Sequence, residues 1–232
     1  MNGHHPYTFS IVVLSKNEER NVPFVISSLL QKYTADKITF VLDGDLEPTA
    51  SILSERAIKF IQGDNAGKGL AIKRAIQRIQ SDILVFMDAD GSHNSEEIEN
   101  LLNPLMGDKA EMVLGSRFLG GSEEFSGNIN NCIHYVGNLL TNYIINSLWN
   151  RAERTVSDAN YGFRAIKRSF FTELNLMENG FSLEMEMVIK CLEKGHRILE
   201  VPSFELKRRF GQSHISTVHL TDFIRCFVNN MI

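Results

Sequence analysis

Unbroken apolar runs alternate along the first half of the chain with stretches in which apolar residues recur at helical spacing. The clearest run, residues 83–87, holds five consecutive apolar side chains and is followed directly by Asp88 and then Asp90. Such a run is typical of a central strand in a parallel sheet, because helices cover both faces of that strand. Residues 22–30 carry apolar positions three and four apart, which predicts an amphipathic helix. The alternation predicts right-handed strand-helix-strand units around a parallel sheet.

The same patterns predict the remaining elements of one α/β domain with a mostly parallel central sheet flanked by helices. The predicted strands are residues 9–14, 38–42, 58–61, 83–87, 112–115, 163–166 and 197–201, and the predicted helices are residues 22–30, 49–56, 70–79, 95–106, 128–149, 184–193 and 220–231. A glycine-rich segment at residues 120–127 is expected to cross the active face. The five prolines are scattered and no linker tract interrupts the chain, so we expect residues 1–232 to form a single domain.

Charge and cysteine content narrow the class of protein. With 24 basic and 28 acidic residues, the net charge of -4 gives no electrostatic footprint for nucleic acid or for an anionic surface. The three cysteines lie far apart, so we expect neither a disulfide framework nor a zinc site, and a reducing cytoplasm fits best. The first residues lack a signal-peptide pattern, and three asparagines interrupt the longest apolar stretch, residues 137–149. We therefore expect no membrane-spanning helix.

Two carboxylates at the end of a buried strand are the main chemical signal. Ligands of parallel sheets bind at the carboxyl ends of the strands. Asp88 and Asp90 should therefore lie where a phosphorylated ligand binds, and their oxygens suit Mg²⁺ or Mn²⁺. In isolation, such an acidic pair is more often a turn or a helix cap. The metal interpretation depends on polar residues after the neighbouring strands, near Asn17 and Asp43, which should meet at the same edge.

Lys68 is a second candidate, because Gly67-Lys68-Gly69 opens a predicted helix whose first backbone N–H groups could face a phosphate. The full phosphate-loop spacing is absent, and a solvated lysine is about equally compatible with the sequence.

Short motifs in a fixed order carry a family resemblance from about residue 9 to residue 214. The motifs are residues 11–18, 41–44, 65–69, 85–93, 115–117, 137–138, Asp158 with residues 162–164, Glu184, residues 200–202, and Arg209 with Gly211 and Ser213. Together they resemble the family 2 glycosyltransferases with the GT-A fold, nearest to the polyprenyl-phosphate, dolichyl-phosphate mannose synthase-like sugar transferases.

The resemblance implies a division of labour along the domain. Residues 1–117 would bind the nucleotide-sugar donor, and residues 118–232 would serve the acceptor and include a C-terminal amphipathic helix. The candidate nucleotide-sugar-binding residues are Ser15, Asn17, Glu18, Asp43, Lys68, Asp88 and Arg117, and the metal ligands are Asp88 and Asp90. The candidate catalytic residues are Asp158, Arg164 and Glu184, and the acceptor phosphate would meet Arg209, Ser213 and His214. Among these, Arg117, Arg164 and Arg209 are expected to contact phosphates.

Two positions depart from the family pattern. The family commonly has two aspartates and a glycine after its second strand, whereas this chain has Leu42-Asp43-Gly44. The late motif usually ends Gly-x-Ser-Lys, and here His214 replaces the lysine, so a fixed positive charge becomes a titratable one. His93, close to the acidic pair, is interpreted as a supporting or capping residue rather than a metal ligand.

These observations predict a metal-dependent, inverting transfer of a sugar from a UDP- or GDP-linked donor to a polyprenyl phosphate. A phosphate acceptor is largely anionic at neutral pH, because its second pKa is about 6, so it needs no strong general base. A sugar hydroxyl acceptor would instead need Asp158 or Glu184 to accept its proton. A catalytically weak GT-A-like binding or regulatory protein is the third interpretation, motivated by Leu42 and His214.

The C-terminal amphipathic helix bears on the acceptor. Its apolar face could lie in the membrane interface, giving peripheral attachment at the cytoplasmic face, or could pack on the domain. A dinucleotide-binding dehydrogenase is disfavoured, because no Gly-x-Gly-x-x-Gly follows the first strand.

Overall fold

A seven-stranded sheet forms the centre of the protein. The computed structural model describes residues 7–44, 46–123, 129–151, 155–211 and 220–231, with the backbone alone for residues 129–134 and 220. The strands are β1 (Phe9–Ser15), β2 (Ile38–Leu42), β3 (Lys59–Gln62), β4 (Ile83–Asp88), β5 (Met112–Ser116), β6 (Arg164–Lys167) and β7 (Ile198–Pro202), in the spatial order β3-β2-β1-β4-β6-β5-β7. All seven lie within one or two residues of the predicted strands.

Helices cover both faces of this sheet. They are α1 (Val22–Leu29), α2 (Thr49–Glu55), α3 (Lys68–Arg78), α4 (Ile98–Met106), α5 (Arg117–Gly120), α6 (Ile129–Leu148), α7 (Arg168–Glu173), α8 (Ser182–Glu193) and α9 (Leu220–Asn229), with short 3-10 turns at Ala35–Lys37 and Ser95–Glu97. The short helices α5 and α7 have no counterpart among the predicted elements, because stretches of four and six residues show no readable periodicity.

Alternating side chains of each central strand enter two separate cores. In β4, Leu84 and Phe86 belong to the core that includes α3 and α8, whereas Val85 and Met87 belong to the core that includes α1 and α4. Successive strand residues point to opposite faces, so a strand covered on both sides must be apolar at every position. This is the physical reason for the unbroken runs in the sequence, and it confirms the expected α/β class.

One strand runs against the others. The strand β6 pairs antiparallel with both β4 and β5, whereas the other neighbouring strands are parallel. Because its direction is reversed, β6 begins at the edge where β4 and β5 end. The residues that precede β6, from Ser157 to Phe163, are thereby brought to the carboxyl edge of the sheet.

The inward side of the long helix α6 carries two asparagines beside the buried Ile145. Asn142 accepts a hydrogen bond from the Ala159 backbone at 3.0 Å, and Asn146 accepts one from the Val156 backbone at 2.9 Å. The outward side carries an apolar stripe whose four members are each between 44% and 72% exposed, namely Val136, Leu139, Leu140 and Tyr143. Within the described ranges, no helix is long and apolar enough to span a bilayer.

Candidate active site

The ends of β1, β2 and β4 bring polar groups together at the carboxyl edge of the sheet. The Asp43 backbone N–H donates to the Ser15 carbonyl at 2.8 Å, and Leu14 of β1 is paired in register with Asp88 of β4. Ser15 and Asp43 are both buried beside the open edge. The predicted meeting of these strand tips is therefore observed.

Asn17 and Gly44 form the outer part of the same edge. Asn17 adopts a left-handed conformation with φ of 56°, which asparagine tolerates better than most residues. A methyl group built on Gly44 would lie only 2.6 Å from Asn17 Oδ1, so this close approach requires glycine. Asp43 accepts a hydrogen bond from the Gly67 backbone at 3.3 Å, which ties the end of β2 to the start of α3.

Lys68 lies between two of the predicted site carboxylates. Its Nζ is 2.8 Å from Asp88 Oδ1 and 2.9 Å from Glu184 Oε1. Burial alone would lower the pKa of Lys68, but the two carboxylates outweigh it and raise that pKa above its ordinary value. Lys68 in turn holds the pKa of Asp88 below its usual range, against the opposing effect of burial. The charged forms of Lys68 and Asp88 are therefore favoured, and the interpretation of Lys68 as a solvated lysine is wrong.

Gly162 is what allows this cluster to form. A methyl group on Gly162 would lie 2.7 Å from Lys68 Nζ, 2.9 Å from Glu184 Oε1 and 3.1 Å from Asp88 Oδ2. These separations are shorter than ordinary van der Waals contact, so no larger residue fits without moving the cluster. Lys68, Asp88, Glu184 and Gly162 form the unit that we call the lysine cluster.

Asp90 uses both of its carboxylate oxygens. Oδ1 accepts from the Ser92 backbone at 2.9 Å and from the Ser92 hydroxyl at 2.7 Å, and Oδ2 lies 2.7 Å from Arg208 Nη2. The other terminal nitrogen of Arg208 lies 2.6 Å from Glu18 Oε1. Burial raises the pKa of Glu18 above its ordinary value, although Asn21 and Arg208 partly counteract it. Arg208 thus bridges the two carboxylates, and we call these three residues the arginine bridge.

His93 is buried and contacts the backbone of Asp88 at the end of β4. Its Nδ1 accepts a hydrogen bond from the Asp88 backbone N–H at 3.0 Å, which assigns the proton of the neutral ring to Nε2. Burial lowers the pKa of His93, so the neutral form is favoured. The Nδ1 atom is therefore engaged by the backbone, in keeping with a supporting role.

Asp158 is completely buried and serves Arg117. Its Oδ2 accepts from Arg117 Nε at 2.8 Å and from the Arg117 backbone at 3.0 Å, and its Oδ1 accepts from Arg117 Nη2 at 2.9 Å. Arg117 also lies 3.3 Å from Glu205 and covers the Tyr161 ring at 4.6 Å. Glu200 accepts from the Ser157 and Asp158 backbones and fixes this loop. Direct contact between Asp158 and an acceptor would require it to leave Arg117.

Arg164 lies one layer below the open edge. It is fully buried, and its guanidinium donates to the carbonyls of Glu184 at 2.8 Å, Ala159 at 3.0 Å and Tyr161 at 2.6 Å. Burial lowers the pKa of Arg164, while nearby carboxylates counteract that effect. Its expected contact with a phosphate remains a prediction, and these hydrogen bonds give it a second role in joining the 159–161 loop to α8.

The segment 204–211 crosses the edge after β7. Leu206 donates its backbone N–H to the Ser92 carbonyl at 2.9 Å, and Asn21 donates to the Phe210 carbonyl at 3.1 Å. Arg209, predicted to bind the acceptor phosphate, stacks on Phe24 at 4.8 Å rather than meeting the acidic residues. The predicted acceptor residues Ser213 and His214 lie outside the described residues.

Arg208 is the site residue that the sequence reasoning passed over. It lies in the basic run Lys207-Arg208-Arg209, of which only Arg209 is assigned a site role from the sequence. The excess of negative charge could have revealed it. Glu18, Asp88 and Asp90 were all expected at one buried edge, where carboxylates require cationic partners. The sequence assigned its candidate cations to phosphates of the ligands and none of them to these carboxylates, namely Lys68, Arg117, Arg164 and Arg209.

The acidic pair supplies only part of the coordination of a divalent cation, and water or substrate phosphates would supply the rest. Among the described residues, no three His, Cys, Asp or Glu side chains form a metal-binding group. Mg²⁺ is commonly bound by one or two carboxylates together with substrate phosphates, and Asp88 and Asp90 provide such a pair. The donor set of hard oxygens at a strand tip is therefore compatible with Mg²⁺ or Mn²⁺.

The chain is similar to known proteins over most of its length. A sequence model of the family described as Glycosyl transferase family 2 matches residues 10–174. The chain is 28% identical over 198 residues to the low-salt glycan biosynthesis hexosyltransferase Agl6 of Haloferax volcanii, which covers 84% of this chain and 47% of that protein. It is 23% identical over 225 residues to polyprenol monophosphomannose synthase of Mycolicibacterium smegmatis, covering 89% of this chain and 80% of that protein.

A third relative, glycosyltransferase AglJ of Haloferax volcanii, is 25% identical over 208 residues, covering 89% of this chain and 65% of that protein. The chain therefore spans about half of Agl6 and just under two thirds of AglJ. Among solved structures, glucosyl-3-phosphoglycerate synthase from Mycobacterium tuberculosis in complex with Mn²⁺, UDP and glucosyl-3-phosphoglycerate has a TM-score of 0.71 at 18% identity. That match covers 97% of this chain and 80% of the synthase and shows that the two share a fold.

Proposed function

The chain belongs to glycosyl transferase family 2, and from that premise we propose that it transfers a sugar from a nucleotide sugar to a polyprenyl phosphate. The match confirms the family resemblance found in the sequence. The observation that carries the proposal is the carboxyl edge itself, where the lysine cluster and the arginine bridge lie beside Ser15 and Asp43. Phosphate-bearing ligands bind at this edge in parallel α/β sheets.

For the donor, we assign the nucleoside to the side of the edge formed by β1 and β2. Ser15, Asn17 and Asp43 offer hydroxyl, amide and carboxylate groups for a base and ribose. Asp88 and Asp90 would hold Mg²⁺ or Mn²⁺ together with oxygens of the diphosphate. A UDP-linked donor is supported by analogy with the mycobacterial synthase, whose crystal structures contain UDP with Mn²⁺ or Mg²⁺, and a GDP-linked donor is the alternative.

When bound, the divalent ion would neutralise negative charge on the departing nucleoside diphosphate. The side chains of the chain perform the remaining tasks. Lys68 keeps Asp88 ionised and oriented, and Arg117 adds fixed positive charge on the other side of the edge. Glu18 and Asp90 share Arg208, so the acidic wall is aligned before a ligand arrives. Alignment of the reacting groups would supply much of the rate enhancement.

The contacts of the two candidate bases favour a phosphate acceptor over a hydroxyl acceptor. Asp158 is fully buried on Arg117, and Glu184 lies against Lys68. Each carboxylate would have to give up its contact with a cation before it could accept a proton from a hydroxyl, which would leave that cation without its partner. An anionic phosphate can attack the anomeric carbon without giving up a proton, and the expected outcome is inversion.

The acceptor's lipid character is supported by exposed apolar surface. The outward stripe of α6 lies on a helix without a charged residue between positions 129 and 150. On α9, Phe223, Cys226 and Phe227 face the domain, while Ile224, Val228 and Met231 are at least half exposed. One face of the last helix thus packs on the domain, and the other face is free to contact a membrane. We propose that α6 and α9 make peripheral contact with the cytoplasmic face of a membrane.

The first experiment is a titration of the purified protein with UDP and GDP, with and without Mn²⁺. We expect metal-dependent binding of one nucleotide, followed by sugar transfer to extracted polyprenyl phosphate. Absence of metal-dependent binding of both nucleotides would refute the enzymatic proposal. Transfer to a saccharide but not to polyprenyl phosphate would instead identify a hydroxyl acceptor.

The variant Asp90→Ala tests the metal assignment. We expect it to lose turnover by a factor of about 100 or more, because removal of one positioned electrostatic group commonly costs that much. The melting temperature should change little, since the partner Arg208 retains access to Glu18 and solvent. Wild-type turnover by Asp90→Ala would contradict the assignment.

A further inference from the structure

The guanidinium of Arg208 contacts the Asp90 oxygen to which a metal would bind. Oδ1 of Asp90 already accepts two hydrogen bonds from Ser92, so Oδ2 is the oxygen left for a direct metal bond. That oxygen lies 2.7 Å from Arg208 Nη2. A divalent ion bound to carboxylate oxygen at about 2.1 Å would have to share this atom with the guanidinium. Two cations at one oxygen repel each other, so the metal competes with Arg208 for this atom.

Arg208 is also placed so that it can leave. It belongs to the 204–211 segment, which contains no helix, and its side chain is 20% exposed. The contacts that hold the segment to the domain involve other residues: Leu206 on Ser92, and Phe210 on Asn21. Loss of the two ion pairs would therefore free the Arg208 side chain while the segment keeps its anchors.

Lys68 differs from Arg208 in the element that carries it and in how closely carboxylates surround it. It is the first residue of α3, and it has a carboxylate on each side, of which that of Glu184 is buried. The adjoining turn is fixed by a hydrogen bond of 3.0 Å from Leu70 to the Asn179 carbonyl. Lys68 contacts both oxygens of Asp88, with Oδ2 at 2.9 Å, so a metal at Asp88 would share an oxygen with a cation that the fold holds in place. Exchange of a cation is therefore favoured at Asp90 and Glu18, where the cation is on the 204–211 segment.

We propose that Arg208 is an internal counter-ion that the divalent metal displaces from Asp90. In the metal-free protein Arg208 acts as a positioning residue, because it keeps Glu18 and Asp90 aligned and offsets their mutual repulsion. Metal binding then requires Arg208 to give up Asp90, which couples occupancy of the metal site to release of this side chain. The proposal rests on the proposed function, since it takes the metal to bind at Asp90.

The test measures binding of Mn²⁺ alone, through the electron paramagnetic resonance signal of free Mn²⁺, with no nucleotide or acceptor present. Arg208→Gln removes the competing charge, and we expect it to bind Mn²⁺ about tenfold more tightly than the wild type, the effect of losing one charged hydrogen bond. Arg208→Lys should fall between them, because a single ammonium group bridges two carboxylates less well than a guanidinium.

Arg209→Gln is the matched control. It removes the same charge from the neighbouring residue, which stacks on Phe24 and does not contact the carboxylates. We expect its Mn²⁺ affinity to stay within about twofold of the wild type, since charges exposed to solvent are strongly screened. The double variant Asp90→Asn with Arg208→Gln should lose the gain in affinity, which assigns the bound ion to this site.

Unchanged or weaker Mn²⁺ binding by Arg208→Gln would overturn the proposal, as would equal tightening in Arg209→Gln. Absence of Mn²⁺ binding in every variant would also overturn it. These outcomes are distinguishable from failure of the proposed function. Nucleotide binding and sugar transfer are measured separately, and metal-dependent binding of UDP or GDP could succeed even if Arg208 played no part.

Discussion

Substitution of Gly162 by alanine provides a sharp test of the lysine cluster. The backbone of Gly162 is outside the left-handed region, so alanine is sterically acceptable to the main chain. The added methyl group would nevertheless meet Lys68, Glu184 and Asp88 at 2.7, 2.9 and 3.1 Å. Each polar group must retreat by several tenths of an ångström, and the three must do so in different directions. The perturbation therefore acts on the cluster and on little else.

The size of the effect follows from this overpacking. Insertion of one methyl group into a packed site costs about 1–3 kcal/mol. For a chain of this length, each kcal/mol lowers the melting temperature by about 2–4 °C, so we expect a decrease of about 2–12 °C. Displacement of Asp88 at the reacting edge should be more damaging to turnover, which we expect to fall by about 100-fold, because catalysis depends on alignment of the reacting groups.

Thermal unfolding and steady-state sugar transfer measure the two effects. Gly180→Ala is the matched control. It makes the same substitution just before α8, at a position where a methyl group has no neighbour within 4 Å. We expect this control to retain activity and to change stability by no more than about 0.5 kcal/mol. If Gly162→Ala behaved like Gly180→Ala in both assays, close packing around Lys68 would not be needed for function and our reasoning would be refuted.

Two further substitutions separate structural from chemical roles. Asp158→Asn leaves Arg117 without its buried carboxylate, and we expect urea unfolding to show that the free energy of unfolding decreases by about 3–5 kcal/mol. A fully stable variant that lost only transfer to hydroxyl acceptors would instead favour Asp158 as a proton acceptor. Leu140→Glu places a charge on the outward stripe of α6, and we expect at least tenfold weaker binding to lipid vesicles with little change in melting temperature. Gln77→Glu on α3 adds the same charge elsewhere, and an equal loss of vesicle binding in this control would contradict a membrane role for the stripe.

The sequence predicted the fold well because the governing rules are local. A strand such as β4, covered on both faces, must be apolar at each position, and this requirement is visible in five successive residues. The position of Asp88 at the strand end follows from the same run. The family resemblance added the order of the motifs, and the match over residues 10–174 confirms it.

The partners of the site residues could not be predicted in this way. Lys68 meets Glu184 across more than one hundred residues of chain, and Arg208 meets Glu18 across 190. Hydrophobic periodicity specifies which face of an element is buried, but it does not pair individual charges from distant elements. The basic run 207–209 shows the difficulty, because adjacent arginines have opposite surroundings: Arg208 joins two carboxylates and Arg209 stacks on an aromatic ring.

The helix α6 shows a different limit. Its asparagines were correctly interpreted as features of a helix that does not span a membrane, but not as the side that faces the protein. Asn142 and Asn146 face inward because the loop at residues 156–160 offers backbone groups that need partners. The inner face of this helix therefore carries polar residues beside the buried Ile145, and only the position of the loop reveals the reason.

The reversed strand β6 has a consequence for the order in which the protein can assemble. The strands β1 to β4 can pair with one another as soon as the first 88 residues are available. The strand β5 has no neighbour in the sheet until β6, which begins 48 residues after β5 ends, has entered between it and β4. Closing such a long intervening segment has an entropic cost, and non-local pairings of this kind slow folding. On a growing chain, the side of the site that contains Asp158 and Arg164 would therefore be completed after the side that contains Ser15 and Asp43.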